Sequence, residues 1–557
     1  MFVKVTPRKK KGKTYYYAEL VESYRENGKV KHKRLLYFGS VDLDTANRLK
    51  IAFSKDFDSF TNIDKVDFTS AVSYGNYYLL NKLSSSLGIF EYFKNNFLST
   101  DNHIRAETAV EYIKAMILQR IIQADSKLAL VENYQATPLK HFLGLENMLD
   151  LQSLYRSLEV LEENFFLVEK YLYELAVEQF KQNKKELYYD ITSSYFEGNK
   201  CIIAEFGYSR DKRKDKEQIV IGLVTTASGF PIKCNIYPGN RPDKTTVIEV
   251  VEQLKKEYPI DEVVFVGDRG MLTAKNIKTI EELEQKYVMA IPRAWSKKYL
   301  KNIEIRAAKM DQIDDELYAK FIPSPDNTQK FLLCLNTNKK IDDNQYRQNC
   351  VDKIKEELDK LIDSISKNRN IKTRDDAMKK AGAITKLNNT GKYFTIESID
   401  SDINPLGFTL KYQLKEDKLE SDKRLDGTFL IQTNENNYSK NKLLNVYKNL
   451  SKVENAFKII KNDLDIRPMF HRKENRVKGH IYICVISYFL MIAIEYISKN
   501  TKLNKSARNI LRLLDKIKLL EINLPDSNKK YSITSIDNEL KKILKTFKIK
   551  KVEVPEV

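Results

Sequence analysis

Three carboxylates stand out because of the stretches that carry them. Asp190 lies in LYYDITSSYF, an apolar and hydroxylated run of strand character. A lone carboxylate is costly to bury there unless positive charge sits beside it. Asp268 follows the wholly apolar VVFVG of residues 263–267, with Arg269 and Gly270 next to it. Ligand sites in open α/β sheets gather beyond strand ends. If the two strands are neighbours, the carboxylates face each other, and a divalent cation resolves their repulsion. An oxygen-only donor set favours Mg²⁺ or Mn²⁺ over zinc. A third acid is offered by YKNLSKVENAFKIIKNDLDIRP, residues 447–468. Tyr447, Glu454 and Lys461 are seven apart and share a helix face with Leu443, Leu450, Val453, Phe457 and Leu464. A metal explains a Glu in that seam; a surface pair with Lys458 or Lys461 explains it as well.

These residues need elements to hold them. Ser439 is an N-cap and Pro468 a stop for the Glu454 helix. Residues 186–292 read β-β-β-α-β-α-β, three antiparallel strands and then parallel ones, hence a mixed α/β sheet. VVFVG has the composition of a strand covered on both faces. Residues 1–40 read as strands around the Asn27-Gly28 hairpin signal, with 11 Lys/Arg against 3 Glu. Such a hairpin can follow a phosphate backbone or be a solvated face. Residues 70–185 have helical periodicity and little proline, as expected of a bundle. The stretch 293–440 mixes a charged helix with strand-like pieces and reads as an inserted subdomain; after 500 a basic tail is expected, part helix and part frayed.

The 557 residues carry a net charge of +19, which favours a polyanionic partner, nucleic acid before membrane. Five scattered cysteines form no CxxC pair, so free thiols are expected rather than disulfides or thiolate zinc. MFVKVTPRKKKG has no apolar core of a signal peptide, and Ile481–Ile494 is short for a membrane span; a cytoplasmic location at the bacterial nucleoid is the expectation. No Walker-type phosphate loop is present, so no nucleotide cofactor is expected. His471 and His480, nine apart around Arg472, Lys473, Arg476 and Lys478, fit no standard zinc pair. Arg210, Lys212, Arg213 and Lys214 form a basic loop suited to gripping DNA or to lying solvated.

YDITS, GDRGM and YKNLSKVENAFKIIK together resemble the acidic triad of bacterial insertion-sequence DDE transposases. The last stretch is similar to the family's Y-(2)-R-(3)-E-(6)-K signature in Tyr447, Glu454 and Lys461. Leu450 stands where the signature has Arg, with Arg269 and Lys458 as candidates to replace its phosphate contact. GYSRDKRKDKEQIVIGLV and RPMFHRKENRVKGHIYICV are similar to the family as well.

The resemblance implies a ribonuclease-H-like mixed sheet core. It would run over 186–292 and 439–500, interrupted by a mixed α+β insertion subdomain at 293–438. A basic β-rich segment at 1–65 and a helical DNA-binding or dimerisation region at 66–185 would precede it, and a basic tail at 501–557 would follow. It implies that Asp190, Asp268 and Glu454 bind two Mg²⁺ ions, with Mn²⁺ as substitute. The ions would serve cleavage at terminal inverted repeats and joining of 3′-hydroxyl ends to target DNA, in a homodimeric synaptic complex. Lys461 and Tyr447 would meet a phosphate near the scissile bond, and Arg269, Arg210, Lys212, Arg213 and Arg476 would contact DNA. Trp295, in IPRAWSKK, would stack on a flipped base; core packing is the alternative for Trp295 and for Tyr447. Another nuclease of the same fold and a decayed transposase that only binds DNA are the competing functions.

Overall fold

The computed structural model describes the chain except for residues 11–12, 55–66, 146–147, 199–200, 259–262, 272, 325–328, 387–389, 524–528 and 557. It divides into two compact units, one of Met1–Asn81, Asn133–Leu143 and Arg508–Val557, the other of Lys82–Glu132 and Gly144–Ala507. The expected boundary at 65/66 lies outside the described residues.

The first unit opens with three antiparallel strands, β1 (Phe2–Lys10), β2 (Lys13–Glu26) and β3 (Lys29–Val41), in that order. Asn27 and Gly28 join β2 to β3 with φ of 50° and 76°. That left-handed pair suits the right-handed twist of a two-residue hairpin. The hairpin expected from the sequence is thus two strands of a three-stranded sheet, closed by the basic β1. Val3, Ala18 and Leu20 make its small core with Val5, Phe38, Val41 and Leu49. Leu49 belongs to the helix Leu43–Ala52, whose N-cap Asp42 accepts from the Thr45 N–H at 2.7 Å. A fourth strand, β4 (Asp67–Ser73), follows.

The second unit surrounds a mixed sheet. Its strands are β5 (Glu186–Tyr195), β6 (Gln218–Thr226), β7 (Pro231–Pro238), β8 (Val264–Gly267), β9 (Lys286–Ala290), β10 (Asp311–Gln312), β11 (Leu317–Ile322) and β12 (Lys330–Asn336). A separate antiparallel pair, β13 (Phe394–Asp400) and β14 (Phe408–Leu414), comes before the last sheet strand, β15 (Thr428–Thr433). The spatial order is β10-β11-β12-β15-β9-β8-β5-β6-β7. Only β5/β8 and β8/β9 pair in parallel. The helices Val247–Glu257 and Ala274–Glu282 make the connections those parallel pairs require. The mixed α/β sheet read from residues 186–292 is present.

The stretch read as an insertion is divided. β10–β12 and β15 continue the large sheet, and Phe331, Leu333 and Leu430 share one core with Leu187, Tyr189, Phe265 and Tyr287. Only the middle, with helices Thr337–Ser366, Arg374–Thr385 and Glu416–Lys423, builds its own core around Ile354, Leu358, Tyr393 and Phe408. Arg347 forks onto the buried carboxylate of Asp426 where this part rejoins β15, with an Nη1–Oδ2 distance of 2.6 Å.

The helices Ala106–Ile122 and Leu151–Glu163 pack against the helix Glu474–Asn500, so the early helical region and the late one share a core. That late helix is long and apolar enough to cross a membrane by composition, and its apolar window is 83% buried within the fold. Gly479 permits the crossing, since a Cβ there would lie 2.3 Å from the Leu158 carbonyl oxygen. After 507 the chain returns to the first unit. β16 (Lys518–Asn523) and β17 (Lys529–Ile533) form an antiparallel sheet with β4 in the order β17-β16-β4, and the helix Asn538–Thr546 follows. The helix expected in part of the tail is present, and among its described residues the strands β16 and β17 stand where fraying was expected.

Gly479→Ala is expected to cost about 1–3 kcal/mol, the range for overpacking a tight contact. Chemical denaturation at fixed pH measures it; unchanged stability would mean that the two helices separate freely at this crossing.

Candidate active site

β5 and β8 bring two of the acids together. Glu186 pairs with Val264, Leu187 with Phe265 and Tyr188 with Val266. The same offset carried two residues further sets Asp268 level with Asp190. Leu187, Tyr188, Tyr189, Phe265 and Val266 are buried, which fixes both strands up to the point where the carboxylates begin. The Asp268 Oδ1 accepts the Arg269 N–H at 2.6 Å, and Arg269 Nε lies 4.0 Å from the same oxygen.

The third acid comes from the helix Leu450–Asn462, which packs against β5. The sequence led us to expect one continuous helix from Ser439. Ser439 does cap, its Oγ accepting from the Lys442 N–H at 3.2 Å. The helix is interrupted at Asn449, so Tyr447 lies on Lys440–Lys448, and Glu454 and Lys461 on the next segment. Leu443, Leu450, Val453, Phe457 and Leu464 are buried, whereas the Glu454 side chain is exposed. Glu454 is therefore at the margin of the apolar seam and not within it.

Electrostatics ties the three acids into one group. Burial pushes the Asp190 carboxyl up to about 7, and repulsion from Glu454 and Asp268 adds to it; the Ile191 N–H and the Arg210 guanidinium work against it. Glu454, though exposed at one side, is raised by the partial covering of its carboxyl and by Asp268. The Tyr447 phenol is raised to about 12 by burial and by the charges of Asp268 and Glu454, with Arg269 opposing. Its ring stacks against Phe429 at 6.1 Å between centroids. Among the described residues no three His, Cys, Asp or Glu side chains are grouped closely enough to hold a metal ion. The three acids are linked by the action of their charges on one another.

The other residues singled out from the sequence fall into different settings. Lys461 Nζ lies 2.8 Å from Asp211 Oδ1, and Arg467 pairs with the same oxygen. Arg210 pairs with Asp243, and its N–H donates to Ser193 Oγ at 3.1 Å. Arg213 makes a two-pronged pair with Asp215, at 2.9 and 2.8 Å, over the Tyr195 ring. Lys212 and Lys214 are exposed, and Trp295 lies half-exposed on the helix Arg293–Tyr299. Arg476 donates to Glu159 at 2.6 Å. His480 is buried with its Nδ1 2.6 Å from Lys127 Nζ, and the His471 ring is 5.4 Å from it, a packed arrangement inside the helical core. Asp211, Asp243 and Arg467 escaped the sequence reading. Asp211 is an acid inside the basic run RDKRKDK, and nothing in its spacing announces partners 250 residues away.

With this geometry in view, residues 189–490 match the family described as "Transposase DDE domain". The chain belongs to the insertion-sequence DDE transposases. Residues 3–58, the β1–β3 sheet and the following helix, match the "IS1634 family transposase, N-terminal domain". No curated protein matches the transposase chain. Among solved structures it is similar to a piggyBac transposase synaptic complex with hairpin DNA, seen by cryo-EM. The identity is 11%, 80% of each chain is covered and the TM-score is 0.35.

The raised Asp190 has a pH consequence. Between about pH 4 and 7 the folded chain holds a proton that the unfolded chain has released, so this group's contribution to stability is present below about 4 and lost as pH rises to about 7. Without divalent ions, Asp190→Asn should stabilise the transposase more at pH 8 than at pH 5, by a difference of about 2 kcal/mol. Denaturation at both pH values checks it, and an equal gain at each would place the Asp190 proton elsewhere.

Proposed function

We propose that this transposase cuts the ends of its own insertion sequence and joins the resulting 3′-hydroxyls to target DNA, with Asp190, Asp268 and Glu454 as the catalytic acids. What supports the reading is that β5 and β8 are parallel neighbours, that the Glu454 helix packs on β5, and that the charges of Asp268 and Glu454 act on Asp190. The order β7-β6-β5-β8-β9, with β5, β8 and β9 parallel, supports a ribonuclease-H-like core.

The donor set fits divalent ions. It is made of carboxylate oxygens, and Asp190 and Glu454 are both raised, by burial first and by neighbouring carboxylates after it. Asp190, Asp268 and Glu454 would hold two Mg²⁺ ions, or Mn²⁺ in their place. When bound, such ions activate a water or a 3′-hydroxyl and stabilise the departing 3′-oxygen. The chain's own residues orient the strand. Tyr447, whose phenol keeps its proton at neutral pH, offers a hydrogen bond to a phosphate beside Asp268. Arg269 is more than half exposed there and offers the guanidinium that Leu450 does not. Lys461, paired with Asp211, acts as part of a charged group rather than as a lone cation. Lys212, Lys214 and the basic β1–β3 sheet add phosphate contacts, which makes binding salt-dependent. The partners in this reading are terminal inverted repeats, target DNA and a second copy of the chain.

Asp190→Asn, Asp268→Asn and Glu454→Gln should each lower Mg²⁺-dependent cleavage of a terminal inverted-repeat duplex by about 10³-fold or more, while gel-shift binding survives. Cleavage at the wild-type rate removes that carboxylate from the mechanism. Wild-type chain that binds the repeat without nicking it, in Mg²⁺ or Mn²⁺, would instead be a DNA-binding protein.

A further inference from the structure

Asp211 is a buried acid that stands outside the set of three. Its side chain is 4% exposed and that of Lys461 11%, and Lys461 Nζ lies 2.8 Å from its Oδ1. Arg467 pairs with the same oxygen, and its Nη2 donates to Asn462 Oδ1 at 3.4 Å. Asp211 Oδ2 is buried and meets no hydrogen-bond donor among the described residues. One carboxylate facing two cations leaves the group net positive, so it still attracts a further anion. The backbone that carries Asp211 is tied to the strand of Asp190. The Arg210 N–H donates at 3.1 Å to Ser193 Oγ, three residues beyond Asp190 on β5. The Lys212 N–H donates to the Ser209 carbonyl at 3.3 Å and the Arg213 N–H to Ser209 Oγ at 3.1 Å, which closes a turn around Asp211.

Lys461 lies on the helix of Glu454, two turns further along. The Asp211–Lys461 pair therefore spans from the loop after β5 to the helix of the third acid. Arg210 marks the same neighbourhood, since its charge acts on both Asp190 and Lys461. A lysine carries a compact charge on a flexible stem, and ordering that stem on a phosphate costs side-chain entropy. Here the ordering is already done. One N–H of the ammonium is given to Asp211, and no second hydrogen bond of the Lys461 ammonium is present among the described residues. Burial pulls this ammonium below its usual value, with Arg467 and Arg210 adding to the pull, and Asp211 works against it.

We propose that Asp211 is a positioning residue, which holds the Lys461 ammonium where it meets a phosphate of the strand at the carboxylate site. The inference rests on the cleavage reading given above and adds to it the residue that sets a cation in place for the reaction. Lys461 is one phosphate contact among many, so affinity depends little on its placement. The rate depends on it strongly, because a misplacement of about 1 Å costs about 10²-fold.

The experiment compares wild type, Asp211→Asn, Lys461→Met and the double variant in single-turnover cleavage of a terminal inverted-repeat duplex in Mg²⁺, over DNA concentrations that reach saturation. Asp211→Asn should lower the saturating rate about 10²-fold and leave the half-saturation concentration within about 3-fold. Lys461→Met alone should fall at least as far. In the Lys461→Met background Asp211→Asn should change the rate by less than about 3-fold, because the residue it acts through is gone. Asp211→Asn leaves two cations without their carboxylate; if it does not fold, Asp211→Glu takes its place. That variant keeps the charge, displaces it by one methylene, and should lower the same rate only where Lys461 is present. An equal loss with and without Lys461, a loss confined to half-saturation, or a Lys461→Met or Asp211 variant that cleaves like wild type would each overturn the positioning role. Wild type that does not cut the repeat would overturn the cleavage reading itself, and this inference with it.

Discussion

Asp190, Asp268 and Glu454 repel one another, and the elements that carry them must hold against that repulsion. Carboxylates spread apart in solution; they stay near one another only when rigid elements hold them there. β5 and β8 supply that rigidity through a parallel register with buried rows on both strands. The helix Leu450–Asn462 supplies the third acid by lying on β5. Burial then raises Asp190 to about 7. The raised Asp190 thus costs the fold stability at neutral pH.

Asp190 and Asp268 stand out in the sequence because each departs from its surroundings. A carboxylate in LYYDITSSYF or after VVFVG has no packing reason to be there, and strand ends are where sheets place ligand sites. The strand order of residues 186–292 followed from alternating strand and helix periods. Three things escaped. The interruption at Asn449 has no glycine or proline to signal it, and it sets Tyr447 on a different helix from Glu454 and Lys461. The extension of the sheet by β10–β12 and β15 depends on pairing between strands separated by the middle subdomain, which no local pattern records. The pairing of Lys461 with Asp211 joins residues whose proximity exists only in the folded chain.

That pairing changes the sense of the basic loop. From sequence, Arg210, Lys212, Arg213 and Lys214 look like one patch. In the fold Arg210 is engaged by Asp243 and Arg213 by Asp215, while Lys212 and Lys214 face outward. Asp211 draws in Lys461 and Arg467, and so fastens the loop to the segment carrying Glu454. Net charge indicates a polyanion; the distribution of partners decides which cations remain to meet it.

The sheet β17-β16-β4 has a consequence for how the chain is made. Thr69 on β4 donates to the carbonyl of Glu521 on β16, a separation of 452 residues. At ordinary synthesis rates of about 5–20 residues per second, β4 waits roughly 20–90 s for its partner to leave the ribosome. The β1–β3 sheet needs no such wait, since its strands are neighbours in sequence. The unit that begins the chain is therefore half assembled at the outset and finished last, after the nine-stranded sheet has had its whole length available to fold.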